Sequence, residues 1–98
     1  MKVTKKVTFI AKEGHIQQLK TLLTSMITPS RNEEGCLLYD IFQLEKDPKK
    51  FIVIESWSSE EALEGHKHSK HYQHYKSHYA VHVDDKYSDN LLILGDLF

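Results

Sequence analysis

The stretch that decides the fold is residues 36–57, which read CLLYDIFQLEKDPKKFIVIESW. Two apolar runs, residues 36–45 and residues 51–57, flank the segment DPKK at residues 47–50, whose composition is typical of a turn. Both runs contain the β-branched and aromatic residues that favour strands. Because the connection between them is so short, the two strands are predicted to pair as an antiparallel hairpin.

Upstream of the hairpin, the pattern predicts a strand followed by a helix. Residues 3–11 alternate as a strand does, and residues 15–28 repeat Ile, Leu and Met at the spacings of three and four that mark an amphipathic helix. Pro29 disfavours helical geometry at Thr28, so this helix is expected to end or kink there. Residues 32–35, Asn-Glu-Glu-Gly, predict the turn that leads into the hairpin.

Downstream of the hairpin, the pattern predicts helix and then strand. Ser58 and Glu61 fit a capping box that opens a helix over residues 59–66. A second helical segment is expected over residues 69–82, so the second helix is broken in two. Residues 90–98, NLLILGDLF, are predicted to form the last strand.

The predicted order is β-α-β-β-α-β within one domain, residues 1–98, which is the α+β, ferredoxin-like arrangement of two helices on one face of a four-stranded antiparallel sheet. Two helices can cover only one face, yet the predicted strands are apolar on both. We therefore expect a homodimer in which the second sheet face packs on its copy about a twofold axis. The second strand shows the pattern, with Leu37, Tyr39 and Ile41 on one side and Leu38, Phe42 and Leu44 on the other.

Composition excludes several classes of protein. With 13 Lys and Arg against 14 Asp and Glu, a net charge of −1 and a single arginine, the chain is not expected to bind nucleic acid. No apolar run approaches the ~20 residues that cross a bilayer, so no membrane partner is expected. The N-terminus is a poor signal peptide. The only cysteine, Cys36, excludes an internal disulfide and suits a reducing, cytoplasmic location.

Three residues near the end of the hairpin are candidates for chemistry. Glu55 and Trp57 share a strand face with apolar residues, where a carboxylate is costly to bury without a partner. The alternatives are that Glu55 is hydrated or paired with a lysine, and that Trp57 is a core residue. His66 could move protons near neutral pH, or it could be a helix cap or a surface histidine.

A stripe of histidines follows on the second helical segment. His71, His74, His78 and His82 recur at spacings of three, four and four, and their i, i+4 pairs could chelate zinc or nickel. No complete ligand set accompanies them, so a polar helix face is the ordinary alternative. Nucleophilic triads, phosphate-binding glycine loops and dinucleotide motifs are absent from the sequence, so any demanding chemistry must come from the substrate or an added cofactor.

Three segments resemble the antibiotic biosynthesis monooxygenase family. Residues 31–39 resemble its R-x-E-x-G-C-x-x-Y segment, and residues 51–57 its F-x-x-x-E-x-W strand. Residues 62–71 are similar to its A-L-x-x-H-x-x-S-x-H helix. The likeness covers about residues 3–79 in the same order, and the combination is far more specific than any one motif.

The resemblance implies a dimeric α+β barrel with a small pocket between sheet and helices in each protomer. Similar proteins oxidise quinols, anthrones or related phenols with O₂, without metal, haem or flavin. By position, the resemblance implies His66 as general base, Glu55 as the group that orients it or holds its charge, and Trp57 as an aromatic wall. Further pocket candidates are Tyr39, Tyr72 and Tyr75.

Two alternatives to a cofactor-independent monooxygenase remain open from the sequence. One is an isomerase or other proton-transfer enzyme on a small signalling metabolite, since the family includes an isomerase of a phosphorylated sugar derivative. The other is a non-enzymatic protein that binds haem, a quinone or a metal. Haem-degrading relatives rely on an Asn in the first strand, and this strand has none, which counts against haem degradation.

Overall fold

The predicted hairpin is present as β2 (Cys36–Gln43) and β3 (Lys50–Trp57), which pair antiparallel. The computed structural model describes residues 1–95 of the chain. β1 (Val3–Ala11) pairs with β3 on one side and with β4 (Val83–Leu91) on the other, both antiparallel. The sheet order is therefore β2-β3-β1-β4, with β2 and β4 at the edges.

The helices pack on one face of this sheet. They are α1 (Ile16–Thr24), α2 (Ile27–Arg31), α3 (Glu60–Lys67) and α4 (Lys70–His78), and one turn of 3-10 helix (Ala80–His82) leads into β4. The order confirms the ferredoxin-like, α+β prediction, with the second helical region broken in two. The core between sheet and helices contains Phe9, Ala11, Leu19, Leu23, Met26, Tyr39, Phe51, Val53, Trp57, Leu63 and Tyr75.

The prediction of one helix over residues 15–28 is wrong. The segment forms two helices that separate at Ser25 and Met26, and Pro29 lies inside α2 instead of ending the helix before it. Proline is tolerated here because it occupies the first turn, where a backbone N–H has no partner within the helix.

Two serines start the helices that follow the hairpin. The capping residue of α3 is Ser59 and not the predicted Ser58, since the Ser59 hydroxyl accepts from the backbone N–H of Ala62 at 3.0 Å. Ser69 caps α4 in the same way, accepting from the N–H of Tyr72 at 3.2 Å. Because Ser69 starts a new helix, the helical region divides between Lys67 and Lys70, close to the predicted break.

The prediction of the last strand at residues 90–98 is also wrong. The strand is β4 (Val83–Leu91), residues 92–95 lie beyond it, and residues 96–98 are outside the described part of the chain. The sequence VDDKYSDNL has little of the apolar character that marks a strand. It forms an edge strand because its backbone pairs with β1 from Thr4 to Ala11, with one register shift after Ile10.

On the face of the sheet away from the helices, β2 and β3 carry apolar side chains on either side of Asp40, which pairs with Arg31. Leu38 and Phe42 are 39% and 52% exposed there, beside the partly buried Ile52 and Ile54. β4 does not continue this pattern, because it contributes Asp85, Tyr87 and Asp89 to the same face. Among the described residues, no helix is both long and apolar enough to cross a membrane.

Candidate functional site

A cavity of about 160 Å³ lies between the sheet and the helices. Its floor is formed by all four strands, and its other walls by α1, α3, α4 and the loop residue Met26. Most of the wall is apolar or aromatic. Besides tyrosine hydroxyls, the polar groups come from Lys5, Glu55, His66, Lys67, Lys86 and Ser88.

Glu55 and Trp57 are held together on β3. Residues two apart on a strand face the same way, and both side chains point toward the helices, where Glu55 is 7% exposed. The indole Nε1–H of Trp57 donates to Glu55 Oε1 at 2.8 Å. Glu55 is therefore a buried carboxylate with an indole partner, and among residues 1–95 no lysine ammonium lies within 4 Å of that carboxylate, although Lys5 is its cross-strand neighbour on β1.

His66 is the buried polar residue of α3, with 2% of its surface exposed. Its Nδ1 lies 2.6 Å from Glu33 Oε2, and its Nε2 lies 4.0 Å from Glu55 Oε1. The imidazole also packs on the Trp57 indole, with ring centroids 4.5 Å apart. Because a carboxylate accepts hydrogen bonds, Nδ1–H donates to Glu33 and Nε2 is left as an acceptor. Glu55 lines the cavity and Glu33 does not, so this acceptor is on the cavity side.

Glu33 is a site residue that the sequence analysis did not single out. It lies in the turn between α2 and β2, and its Oε2 accepts from both His66 and His71, the latter at 2.7 Å. The carboxylate that hydrogen-bonds the His66 ring is thus Glu33, while Glu55, which the resemblance implied as the group that orients this ring or holds its charge, lies 4.0 Å from Nε2. The available signal was the E of the family-like segment at residues 31–39, but nothing in the sequence linked it to a histidine 33 residues away.

Glu33, His66 and His71 form the one group of three among residues 1–95 whose possible metal-ligating atoms lie within 4.8 Å of one another. Each histidine already makes a short hydrogen bond to the Glu33 carboxylate, and Ser69 Oγ lies 3.2 Å from His71 Nε2. The cluster therefore forms a closed hydrogen-bond network behind His66, on the side away from the cavity.

The remaining histidines of the stripe do not converge on one point. His74 and His78 lie side by side on the surface of α4, with ring centroids 4.2 Å apart. His82 turns instead toward His15, and their Nδ1 atoms are 3.0 Å apart. His74, His78 and His82 line one surface groove beside α1, but among residues 1–95 they form no group of three with ligating atoms close together, and His71 alone joins the buried cluster.

The three predicted pocket tyrosines, Tyr39, Tyr72 and Tyr75, all line the cavity. The Tyr39 and Tyr72 ring centroids lie 5.7 Å and 5.1 Å from that of His66. Burial raises the pKa of all three phenols, and the charge of Glu55 raises the pKa of Tyr39 and Tyr72 further. Their hydroxyls therefore stay protonated and can donate hydrogen bonds.

Lys86 brings a cation to the cavity from β4. Its ammonium lies over the Tyr79 ring at 4.7 Å and within 6 Å of the Phe9 and Tyr75 ring centroids. Burial lowers the pKa of Lys86, and the nearby charge of Lys76 lowers it further. Nothing in the sequence pattern pointed to Lys86, because the last strand was predicted at residues 90–98, beyond its position in β4.

The arrangement has the parts needed to take a proton from a small aromatic hydroxyl. An imidazole acceptor faces an apolar cavity, its other nitrogen is held by a carboxylate, and neutral phenols surround it. A benzene-sized ring fits, because benzene enters cavities of about 150 Å³. The same volume does not accommodate a haem without rearrangement.

Comparison with known proteins places this site in context. Residues 3–77 match the family described as antibiotic biosynthesis monooxygenase. "Putative monooxygenase Rv0793" from Mycobacterium tuberculosis is 39% identical over 59 residues, which are 60% of this chain and 57% of that protein. "Putative monooxygenase YcnE" from Bacillus subtilis is 35% identical over 49 residues, 50% of this chain and 52% of that protein. In sequence, the chain spans only a little over half the length of these curated relatives.

Solved structures share the fold over nearly the whole chain. The crystal structure of PA3566 from Pseudomonas aeruginosa superposes with a TM-score of 0.91 at 32% identity, covering 95% of this chain and 94% of that one. The structure of Rv0793 superposes with a TM-score of 0.91 at 26% identity and covers both chains fully. The sheet and the helices that enclose the cavity are therefore the common architecture of these proteins.

Proposed function

Because the chain belongs to the antibiotic biosynthesis monooxygenase family, we propose that it is a cofactor-independent monooxygenase that oxidises a small quinol-like aromatic with O₂. The observation that carries this proposal is the buried His66 imidazole at the wall of the cavity, with its Nδ1–H held by Glu33 at 2.6 Å. This hydrogen bond leaves Nε2 ready to accept a proton from a bound hydroxyl.

In the proposed reaction the substrate supplies the electrons. His66 Nε2 takes a phenolic proton, the resulting anion passes one electron to O₂, and the two radicals combine to form a carbon–oxygen bond. The peroxide is protonated and loses water, which leaves a carbonyl on the ring. A quinol and O₂ thus give a hydroxyquinone and water, with one oxygen atom of O₂ in each product.

The surrounding groups support the charges that this reaction forms. The protonated imidazole would lie between two carboxylates, Glu33 at 2.6 Å and Glu55 at 4.0 Å. Neutral hydroxyls of Tyr39 and Tyr72 could donate to the phenolate oxygen. The apolar wall keeps water away from the anion, which strengthens these interactions.

We further propose that the working unit is a homodimer joined through the outer sheet faces. Leu38 and Phe42 leave an apolar surface on β2 that the described residues, 1–95, do not cover. Beyond β4, Leu92 and Leu94 are 91% and 92% exposed. A second copy of the chain would bury both surfaces at once.

The test is O₂ consumption by metal-stripped protein against a panel of reduced quinones. We expect substrate-dependent uptake that falls by about 10²–10⁴-fold in His66→Ala, the usual contribution of a general base. His68→Ala is the matched control, because His68 is an exposed histidine two residues further on, at the C-terminal end of α3. Uptake that is unchanged in His66→Ala would remove this residue from the mechanism.

A proton-transfer enzyme such as an isomerase is the second candidate function. The His66–Glu33 pair favours it, since an oriented imidazole moves protons whether or not O₂ is present. The two functions separate under strict anaerobiosis, where an isomerase continues to turn over and an oxygenase stops.

A further inference from the structure

We propose that the cavity selects aromatic substrates that carry an anionic substituent, a carboxylate or a phosphate, and that Lys86 with Lys5 and Lys67 binds it. This inference rests on the proposed function for the role of the ring, but the anion site itself does not depend on oxygen chemistry. The three lysines line the same cavity as His66 and come from three different elements, β4, β1 and α3.

Lys86 is the lysine whose surroundings most favour a bound anion. Its ammonium is half-buried against the rings of Phe9, Tyr75 and Tyr79, and within residues 1–95 it lies more than 4 Å from every carboxylate. The more distant Glu55 carboxylate favours this charge, but a cation that is partly removed from water with no anion in contact is costly to keep. A ligand anion would supply the missing partner.

Lys5 and Lys67 extend the positive charge toward solvent. Both line the cavity and also an adjoining surface groove, so they lie where the cavity meets the surface. Lys5 has no carboxylate within 4 Å among the described residues, and the ammonium of Lys67 is 4.0 Å from the exposed Glu64, a contact that water screens. Counted over the whole cavity wall, three ammonium groups face the single carboxylate of Glu55.

The sheet separates Lys86 from the base, while Lys5 lies directly across from Glu55 on β1. Glu55, beside His66, lies on β3, while Lys86 and Ser88 lie on β4, two strands away across β1. Lys86 is also offset by four residues along β1, since Lys5 faces Glu55 and Phe9 faces Lys86, so the two backbone positions are about 16 Å apart. The side chains of His66 and Lys86 both line the cavity between these positions, so a substituted ring can direct a hydroxyl toward His66 Nε2 and its anionic group toward Lys86.

The experiment compares three ligands by calorimetry under nitrogen, so that binding is measured without turnover. The ligands are hydroquinone, its carboxylated form gentisate, and hydroquinone monophosphate. We expect at least one anion to bind about tenfold or more tightly than hydroquinone, the usual contribution of a charged hydrogen bond. The stronger of the two anions identifies which substituent the site takes.

Two lysine variants assign this preference to the site. Lys86→Met keeps the apolar stem and should abolish the preference for the anion, while Lys46→Met removes the same charge from an exposed turn and should leave it intact. Thermal melting shows whether each variant folds, and if Lys86→Met does not, Lys67→Met replaces it. In the unmodified protein, the preference should also shrink as salt screens the charges.

The outcomes separate this inference from the proposed function. Equal affinity for hydroquinone and both anions, or a preference that persists in the folded Lys86→Met variant or in high salt, would overturn the anion site. Anion-selective binding without O₂ uptake from any bound quinol would keep the anion site and overturn the monooxygenase. O₂ uptake from uncharged quinols, with no preference for the anions, would support the monooxygenase and overturn the anion site.

Discussion

At the scale of single residues, the site depends on one carboxylate that holds one imidazole. Glu33 fixes the tautomer of His66 by accepting from Nδ1–H, and it accepts from His71 with the same oxygen. Such an orienting carboxylate is a positioning residue, because it does not line the cavity and acts only through the histidine. Its effect should appear in the rate of the chemical step more than in substrate affinity.

We expect Glu33→Gln to lower kcat by about tenfold or more with little change in KM. The amide keeps the shape but loses the charge, and its NH₂ group can face Nδ1 and favour the wrong tautomer. Steady-state O₂ uptake gives both constants, and nitrogen NMR of His66 reports the tautomer. Glu34→Gln is the control, since Glu34 is the exposed neighbour in the same turn. A rise in KM alone, or an unshifted His66 tautomer, would contradict the role.

At the scale of elements, the turn between α2 and β2 must pack closely on the start of α3 to bring Glu33 to His66. Gly35 ends this turn with φ +85°, and its carbonyl accepts from Ser58 N–H at 2.8 Å. A Cβ on Gly35 would lie 2.5 Å from the Cβ of Ala62 and 2.8 Å from Ser58 Oγ. The glycine is therefore required both for its backbone conformation and for its lack of a side chain.

Gly35→Ala should lower the free energy of unfolding by about 2–5 kcal/mol, the sum of left-handed strain and overpacking. Gly14→Ala is a matched control, because Gly14 has φ +80° but nothing within 4 Å of an added Cβ. That variant should lose only about 1–2 kcal/mol from strain. Urea unfolding measures both, and equal losses at the two positions would show that the contact with α3 does not matter.

At the scale of the whole molecule, the sheet has one face covered by helices and one on which residues 1–95 leave apolar side chains exposed along β2. The sequence predicted this surplus from β2, β3 and a last strand at residues 90–98. In the structure, Leu38 and Phe42 are exposed apolar residues on β2, as predicted. The last strand does not add to this surface, because β4 is polar. The exposed Leu92 and Leu94 still add apolar surface, but from a segment beyond the sheet.

We expect light scattering at micromolar concentration to give twice the 11.5 kDa mass of the chain. Phe42→Asp should shift this to the monomer, because a carboxylate would be buried without a partner in the dimer interface. Val81→Asp, at an exposed apolar residue outside the sheet, should leave the dimer intact. A mass near 11.5 kDa for the unmodified chain would exclude the proposed assembly.

The sequence by itself determined most of the elements, their order and the shared face of Glu55 and Trp57, because helix and strand periodicities are local and a period of two needs only neighbouring residues. The tertiary structure alone decided the rest. Glu33 meets His66 only because a glycine turn packs on α3. Lys86 reaches the cavity only because backbone hydrogen bonds to β1, and not apolar side chains, select the edge strand. Contacts between distant parts of a chain arise from packing, which no local pattern encodes.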